Sequence, residues 1–158
     1  MEQQLEAFLS LIAWSEGTST HPLTKDDGYD VLVSGVDGRE IFTDYSIHPF
    51  ESRPPTIVRR GDPPLTSTAA GRYQILHGIW YAYRTALGYT DFGHETQDHI
   101  ARRLIEERGA LSKISAGDIR GAITACSGTW ASFPGNRYGQ GGHSMDALLA
   151  QHAKIVGA

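Results

Sequence analysis

The chain has 158 residues, 40% apolar and 20% charged, enough to bury a core as one domain and unlike a disordered tail. Fourteen basic residues against eighteen acidic ones give a formal charge of -4, without the dense basic stripe of a protein that coats nucleic acid. No apolar run approaches the roughly 20 residues that cross a bilayer, and the lone Cys126 excludes an internal disulfide or a multi-cysteine zinc site. The start, Met1-Glu2-Gln3-Gln4, lacks the basic n-region of a signal peptide, which predicts synthesis and residence in the cytoplasm.

Along the chain, Leu5, Phe8, Leu9 and Ile12 repeat at helical spacing and predict a helix over 3–16, with Gly17 where its C-cap falls. From Gly28 to Phe42 the period changes. Tyr29, Val31 and Val33 alternate, Asp37-Gly38 supplies turn chemistry, and Glu40-Ile41-Phe42 returns, which predicts a small β-hairpin. Five of the seven prolines fall in 47–66, which predicts a long surface loop there.

The rest reads as helical. Ile75, Ile79, Ala82, Tyr83 and Leu87 mark one helix, stopped by Gly88; Ile100, Leu104 and Ile105 mark another, stopped by Gly109. Ile119, Ala122, Ile123 and Cys126 mark a third, and Ser144 is the N-cap of a last one carrying Met145, Leu148 and Leu149. Residues 127–143, rich in Gly, Ser and aromatics, form a second long loop. The expected class is α+β, mostly helical, with a β lobe at about 28–66 inside a single domain.

Glu16 is the most informative polar residue. It extends the buried stripe one turn beyond Ile12, beside Trp14, at a helix C-terminus. Apolar surroundings and the negative end of the helix dipole both raise a carboxyl pKa, as a glycosidase general acid requires at neutral pH. The other reading is a solvated carboxylate at a frayed helix end. In Ser67-Thr68-Ala69-Ala70-Gly71-Arg72-Tyr73-Gln74, the small residues admit a ligand close to the backbone, and Tyr73 and Gln74 offer a ring and an amide to a sugar. The same segment also reads as a helix N-terminus capped by Ser67 or Thr68. Trp130, Phe133 and Tyr138 lie among Ser127, Ser132, Asn136 and Gln140, a mixture suited to carbohydrate; for Trp130, closing the core under the loop is the preferred reading. The seven histidines show no metal-ligand spacing and read as solvated surface residues, and Cys126 reads as a buried, inert thiol.

Several blocks, in order, carry a resemblance. They are Ala13-Trp14-Ser15-Glu16-Gly17-Thr18, Gly28-Tyr29-Asp30-Val31, Phe42-Thr43-Asp44-Tyr45-Ser46, Ala70-Gly71-Arg72-Tyr73-Gln74, Glu107-Arg108-Gly109-Ala110-Leu111, Gly117-Asp118-Ile119-Arg120 and Trp130-Ala131-Ser132. Together they resemble the bacteriophage lambda endolysin family and cover about residues 7 to 150. The resemblance implies a lysozyme-like fold and a lytic transglycosylase. Such an enzyme cleaves the β-1,4 bond between N-acetylmuramic acid and N-acetylglucosamine and leaves a 1,6-anhydro sugar.

By the same resemblance the catalytic glutamate falls on Glu16, and two lips over a substrate groove fall on about 48–66 and 127–142. Sugar contacts are expected at Tyr45, Ser67, Tyr73, Gln74, Trp130 and Tyr138. It further implies a monomer that needs no metal or cofactor, binds glycan strands rather than nucleic acid or membrane, and waits in the host cytoplasm for a holin. A Gram-negative host is expected. The alternatives are a hydrolytic lysozyme, with Asp30 or Asp44 as the second carboxylate, and a non-catalytic wall-binding module. The acidic balance departs from the basic phage protein, and the turn Ser34 to Arg39 and the proline-rich loop are longer.

Overall fold

A computed structural model describes residues 1–135 and 142–158. They divide into two compact units, Met1–Gly17 with Ala101–Ala158, and Thr18–Ile100.

The first unit is helical. Its centre is α1 (Glu2–Ser15), whose apolar residues are more than a stripe: Leu5, Ala7, Phe8, Leu9, Leu11, Ile12 and Ala13 are all buried. A helix hydrophobic on most of its circumference needs cover on several sides. α4 (Leu111–Ser115) and α6 (Met145–Gly157) pack against α1, and α5 (Ile119–Cys126) packs on both. Phe8 meets Phe133 edge-on at 6.1 Å, and Trp130 lies 6.3 Å from Phe133. The helix ends follow the expected chemistry. Ser144 accepts the Ala147 N–H at the start of α6, Asp118 accepts the Gly121 N–H at the start of α5, and Gly17 follows α1 in the left-handed region. The short α4 was not anticipated; a single helical turn leaves little periodicity in the sequence.

The second unit holds the strands, and here the sequence reading needs correction. The segment 28–42 turns back on itself as expected, but as isolated antiparallel bridges, Val31 with Ile41 and Gly35 with Gly38, not as continuous strands. The reason is that this segment is shared. Leu32 donates to the Glu40 carbonyl, while Val33 donates to Ala69 and Val31 accepts from Gly71, so it is bonded on both sides. The proline-rich stretch is not all loop. It contains a 3-10 turn (Pro49–Glu51) and a hairpin of β1 (Thr56–Arg59) with β2 (Leu65–Ser67), bulged between Ile57 and Arg59. Its prolines bracket the strands instead of interrupting them: Pro54 and Pro55 precede β1, and Pro63 and Pro64 occupy the connection.

A second antiparallel pair, β3 (Ala69–Ala70) with β4 (Ile75–Leu76), leads into α2 (His77–Leu87). Ser67 and Thr68 therefore do not open a helix. Thr68 does act on one, since its hydroxyl accepts the His77 N–H at the first residue of α2, nine positions away. α3 (His94–Glu107) starts earlier than its apolar residues suggested and continues from this unit into the helical one.

Candidate active site

Glu16 sits at the C-cap of α1, in helical backbone geometry, and its N–H donates to the Ile12 carbonyl at 2.9 Å. The residue as a whole is half-buried, yet its carboxyl group has lost most of its water. That burial pushes its pKa up to about 7, opposed by a hydrogen bond with the Ser132 hydroxyl. The reading of a solvated, frayed carboxylate does not hold.

Among the described residues of its unit, polar groups stand at and near Glu16. The hydroxyls of Ser15 and Ser132 lie 2.7 Å apart. The His143 ring stacks obliquely on Trp14 at 4.4 Å and its Nε2–H donates to the Ser15 carbonyl at 3.2 Å. Ser15 and His143 were missed by sequence reasoning, and Ser132 was noted only as a loop hydroxyl. The signal available was that Ser15 and Ser132 both belong to the matching blocks.

The predicted sugar contacts fare unequally. Tyr73 is 2% exposed and its hydroxyl donates to Asp98 at 2.6 Å, so its ring is a core element with no open face for a sugar. Trp130, also 2% exposed, closes the core under its loop. Gly71 does allow a close approach, but the approaching group is internal. A Cβ there would lie 2.3 Å from the Gln97 Oε1, which accepts the Arg72 N–H. Gln74 turns its amide inward, donating to the Gly71 carbonyl at 2.9 Å. Ser67 is half-buried and accepts the Ala69 N–H. Tyr45 is half-buried and donates to Asp26, whose carboxylate also meets the His94 ring at 2.6 Å. His94 in turn lies flat on Tyr29 at 3.8 Å. Tyr138 lies outside the described residues.

The two candidate second carboxylates are both occupied with loop structure. Asp30, 4% exposed, accepts the Thr24 hydroxyl and the Lys25 N–H. Asp44 accepts the N–H and the hydroxyl of Ser46 within an exposed turn. Nor are all histidines solvated: His48 is fully buried and His21 nearly so. Cys126 is buried, and burial pushes its thiol up to about 12, which opposes a nucleophilic role. Among the described residues no group of His, Cys, Asp and Glu has the arrangement of a metal site, and no helix is long and apolar enough to cross a membrane.

Residues 6–158 match the family model described as Endolysin. The endolysin of Escherichia phage P2 is 53% identical over 150 residues, covering 93% of this chain and 89% of that protein. The endolysin of Escherichia phage lambda is 48% identical over 158 residues, covering 99% and 94%. Among solved structures, bacteriophage lambda lysozyme complexed with a chitohexasaccharide superimposes with a TM-score of 0.85 at 47% identity, over 99% of this chain and 96% of that one. Another structure of lysozyme from bacteriophage lambda gives a TM-score of 0.81 at 45% identity, over 98% and 95%. The lysozyme fold is thus shared with these relatives along nearly their whole length. The chain belongs to the endolysin family, lysozyme-like enzymes that degrade peptidoglycan for cell lysis.

Proposed function

We propose that this endolysin is a lytic transglycosylase in which Glu16 alone supplies acid and base. The observation that carries the reading is the Glu16 carboxyl, raised to about 7 by burial and so able to hold or release a proton at neutral pH. In its protonated form Glu16 donates to the glycosidic oxygen as the C1–O bond of the N-acetylmuramic acid breaks. The same sugar's 6-hydroxyl then bonds to C1, and its proton passes to the Glu16 carboxylate. A 1,6-anhydro end forms, the proton count closes, and no water is consumed. A hydrolase would need a second carboxylate across the bond. The structural duties of Asp30 and Asp44 speak against either in that place.

The substrate proposed is the β-1,4-linked amino-sugar strand of peptidoglycan, in keeping with the chitohexasaccharide bound by the lambda relative. Tyr45 and Ser67 remain our candidates for sugar contacts, with Tyr138. The proposed setting is a monomer held in the cytoplasm of a Gram-negative host until a holin opens the inner membrane.

Mass spectrometry of muropeptides released from purified peptidoglycan tests this reading, with Glu16→Gln as the control. Products one water lighter than reducing ends are expected from the wild type, and none from the variant. Reducing ends would make the enzyme a hydrolase, and unimpaired release by Glu16→Gln would remove the catalytic assignment.

A further inference from the structure

We infer that His143 is a positioning residue for Glu16: its side chain caps the last turn of α1 and fixes the peptide unit that carries the glutamate. The inference deepens the reading of Glu16 as acid and base and rests on it, and it gives His143 no proton to transfer.

The last carbonyls of a helix find no partner further along it, and the end frays unless donors come from outside. In α1 the Ile12 carbonyl accepts the Glu16 N–H at 2.9 Å, and the Trp14 carbonyl accepts the Gly17 N–H at 3.0 Å. The Ser15 carbonyl accepts the Nε2–H of His143 at 3.2 Å, from 128 positions away. That carbonyl and the Glu16 N–H belong to one planar peptide unit, which also contains the Glu16 Cα. Its nitrogen end is held by the helix and its oxygen end by the histidine, so it cannot turn without breaking a bond. On the other side of Glu16, Gly17 sits at a φ of 75° and brings no side chain to hold the chain.

His143 is itself held. Its own N–H donates to the Ser132 carbonyl at 3.1 Å, and its ring lies 4.4 Å from that of Trp14. The Ser132 and Ser15 hydroxyls, 2.7 Å apart, close a circuit that runs from Ser15 through His143 and Ser132 back to Ser15. Gly142 lets the chain come this close: a Cβ there would stand 2.5 Å from the Ser132 carbonyl oxygen. A carbonyl only accepts, so Nε2 carries the hydrogen, as it does in both the neutral ring and the charged one.

Two substitutions separate the bond from the ring. Glutamine carries an N–H donor at a reach similar to Nε2, without the ring; phenylalanine keeps a ring against Trp14, without a donor. Rates on solubilised glycan strands, taken well below each variant's Tm, give kcat and KM, and 15N relaxation of the Glu16 backbone amide gives its order in the free protein. His143→Ala and His143→Phe should each lower kcat roughly tenfold with KM near the wild-type value, and loosen the Glu16 amide. His143→Gln should restore both. If His143→Ala does not fold, the pair of larger side chains still decides. A merely structural histidine would lower Tm in all three variants and leave kcat and the amide unchanged, which overturns the inference. So would a glutamine as impaired as alanine, a phenylalanine that works where glutamine fails, or an effect on KM alone, which would make His143 a sugar contact. A loosened Glu16 amide in His143→Phe alongside full activity of Glu16→Gln would keep the clamp and reject the catalytic reading. A rigid amide in His143→Phe would overturn the clamp whatever Glu16 does, so the two failures are distinguishable.

Discussion

Glu16 in the helical unit and His48 in the strand-bearing unit are both ionisable groups pushed by burial toward their neutral forms. Burial raises the glutamate to about 7 and lowers the histidine to about 4. What differs is how each neutral form is held. His48 is fully buried, donates from Nε2 to the Ile75 carbonyl at 2.9 Å and accepts the Phe50 N–H on Nδ1, with Phe92 4.6 Å away. Both ring nitrogens are used and the tautomer is fixed, so protonating Nδ1 costs the bond from Phe50. Glu16 keeps partial exposure and a hydroxyl partner that can give or take a hydrogen. The pair shows that a shifted pKa marks chemistry only where the other protonation state can also be accommodated.

Several measurements would break or sharpen this contrast. The largest effect expected is on rate: Glu16→Gln should slow wall clearance by roughly a thousandfold, about 4 kcal/mol of barrier, while leaving the fold intact. Turbidity assays on permeabilised cells, with circular dichroism beside them, read both. His48→Ala should instead cost about 3 kcal/mol of stability in urea unfolding, by opening a cavity and stranding the Ile75 and Phe50 backbone groups. Loss of activity without loss of stability in that variant would reverse the two roles.

The pH dependence of stability should have a limb from each residue. The folded-state pKa of His48 lies below the ordinary 6.5, so the stability it permits is complete above that value and is lost as the pH falls toward 4. The folded-state pKa of Glu16 lies above the ordinary 4.5, so its stability is complete below 4.5 and is lost as the pH rises through 7. Each limb is worth up to about 3 kcal/mol. Thermal melts across pH 4 to 8 should show Glu16→Gln flattening the upper limb and His48→Gln the lower. The smallest effect expected is that of Tyr73→Phe, which deletes the hydroxyl bonded to Asp98. It should cost about 1 kcal/mol and leave saccharide affinity unchanged. A weaker affinity for chitohexasaccharide by calorimetry would return Tyr73 to the substrate contacts.

The helical unit was largely legible in the sequence because its signals are local. The spacing of Leu5, Phe8, Leu9 and Ile12 carries α1 and sets Glu16 one turn beyond its buried face; Ser144 marks the start of α6. The strand-bearing unit was less legible. β1 and β2 are short and bracketed by prolines, and 31–33 bonds to both sides, so neither leaves a clean alternation. The inward turn of Tyr73 and Gln74 depends on Asp98 and on backbone carbonyls that sequence spacing does not announce. Least legible was the contact between Ser15 and Ser132, 117 positions apart, since a hydrogen bond of that separation imposes no periodicity on either segment.

The bond from His77 to Thr68 has a kinetic consequence. First-turn amides ordinarily exchange with solvent as the end of a helix frays. Here the acceptor belongs to the chain just ahead of β3, so the His77 proton is released only when α2 and the β3–β4 turn part company. In deuterium exchange that single amide reports the opening of the turn rather than the unwinding of the helix, and it ties the two into one cooperative unit.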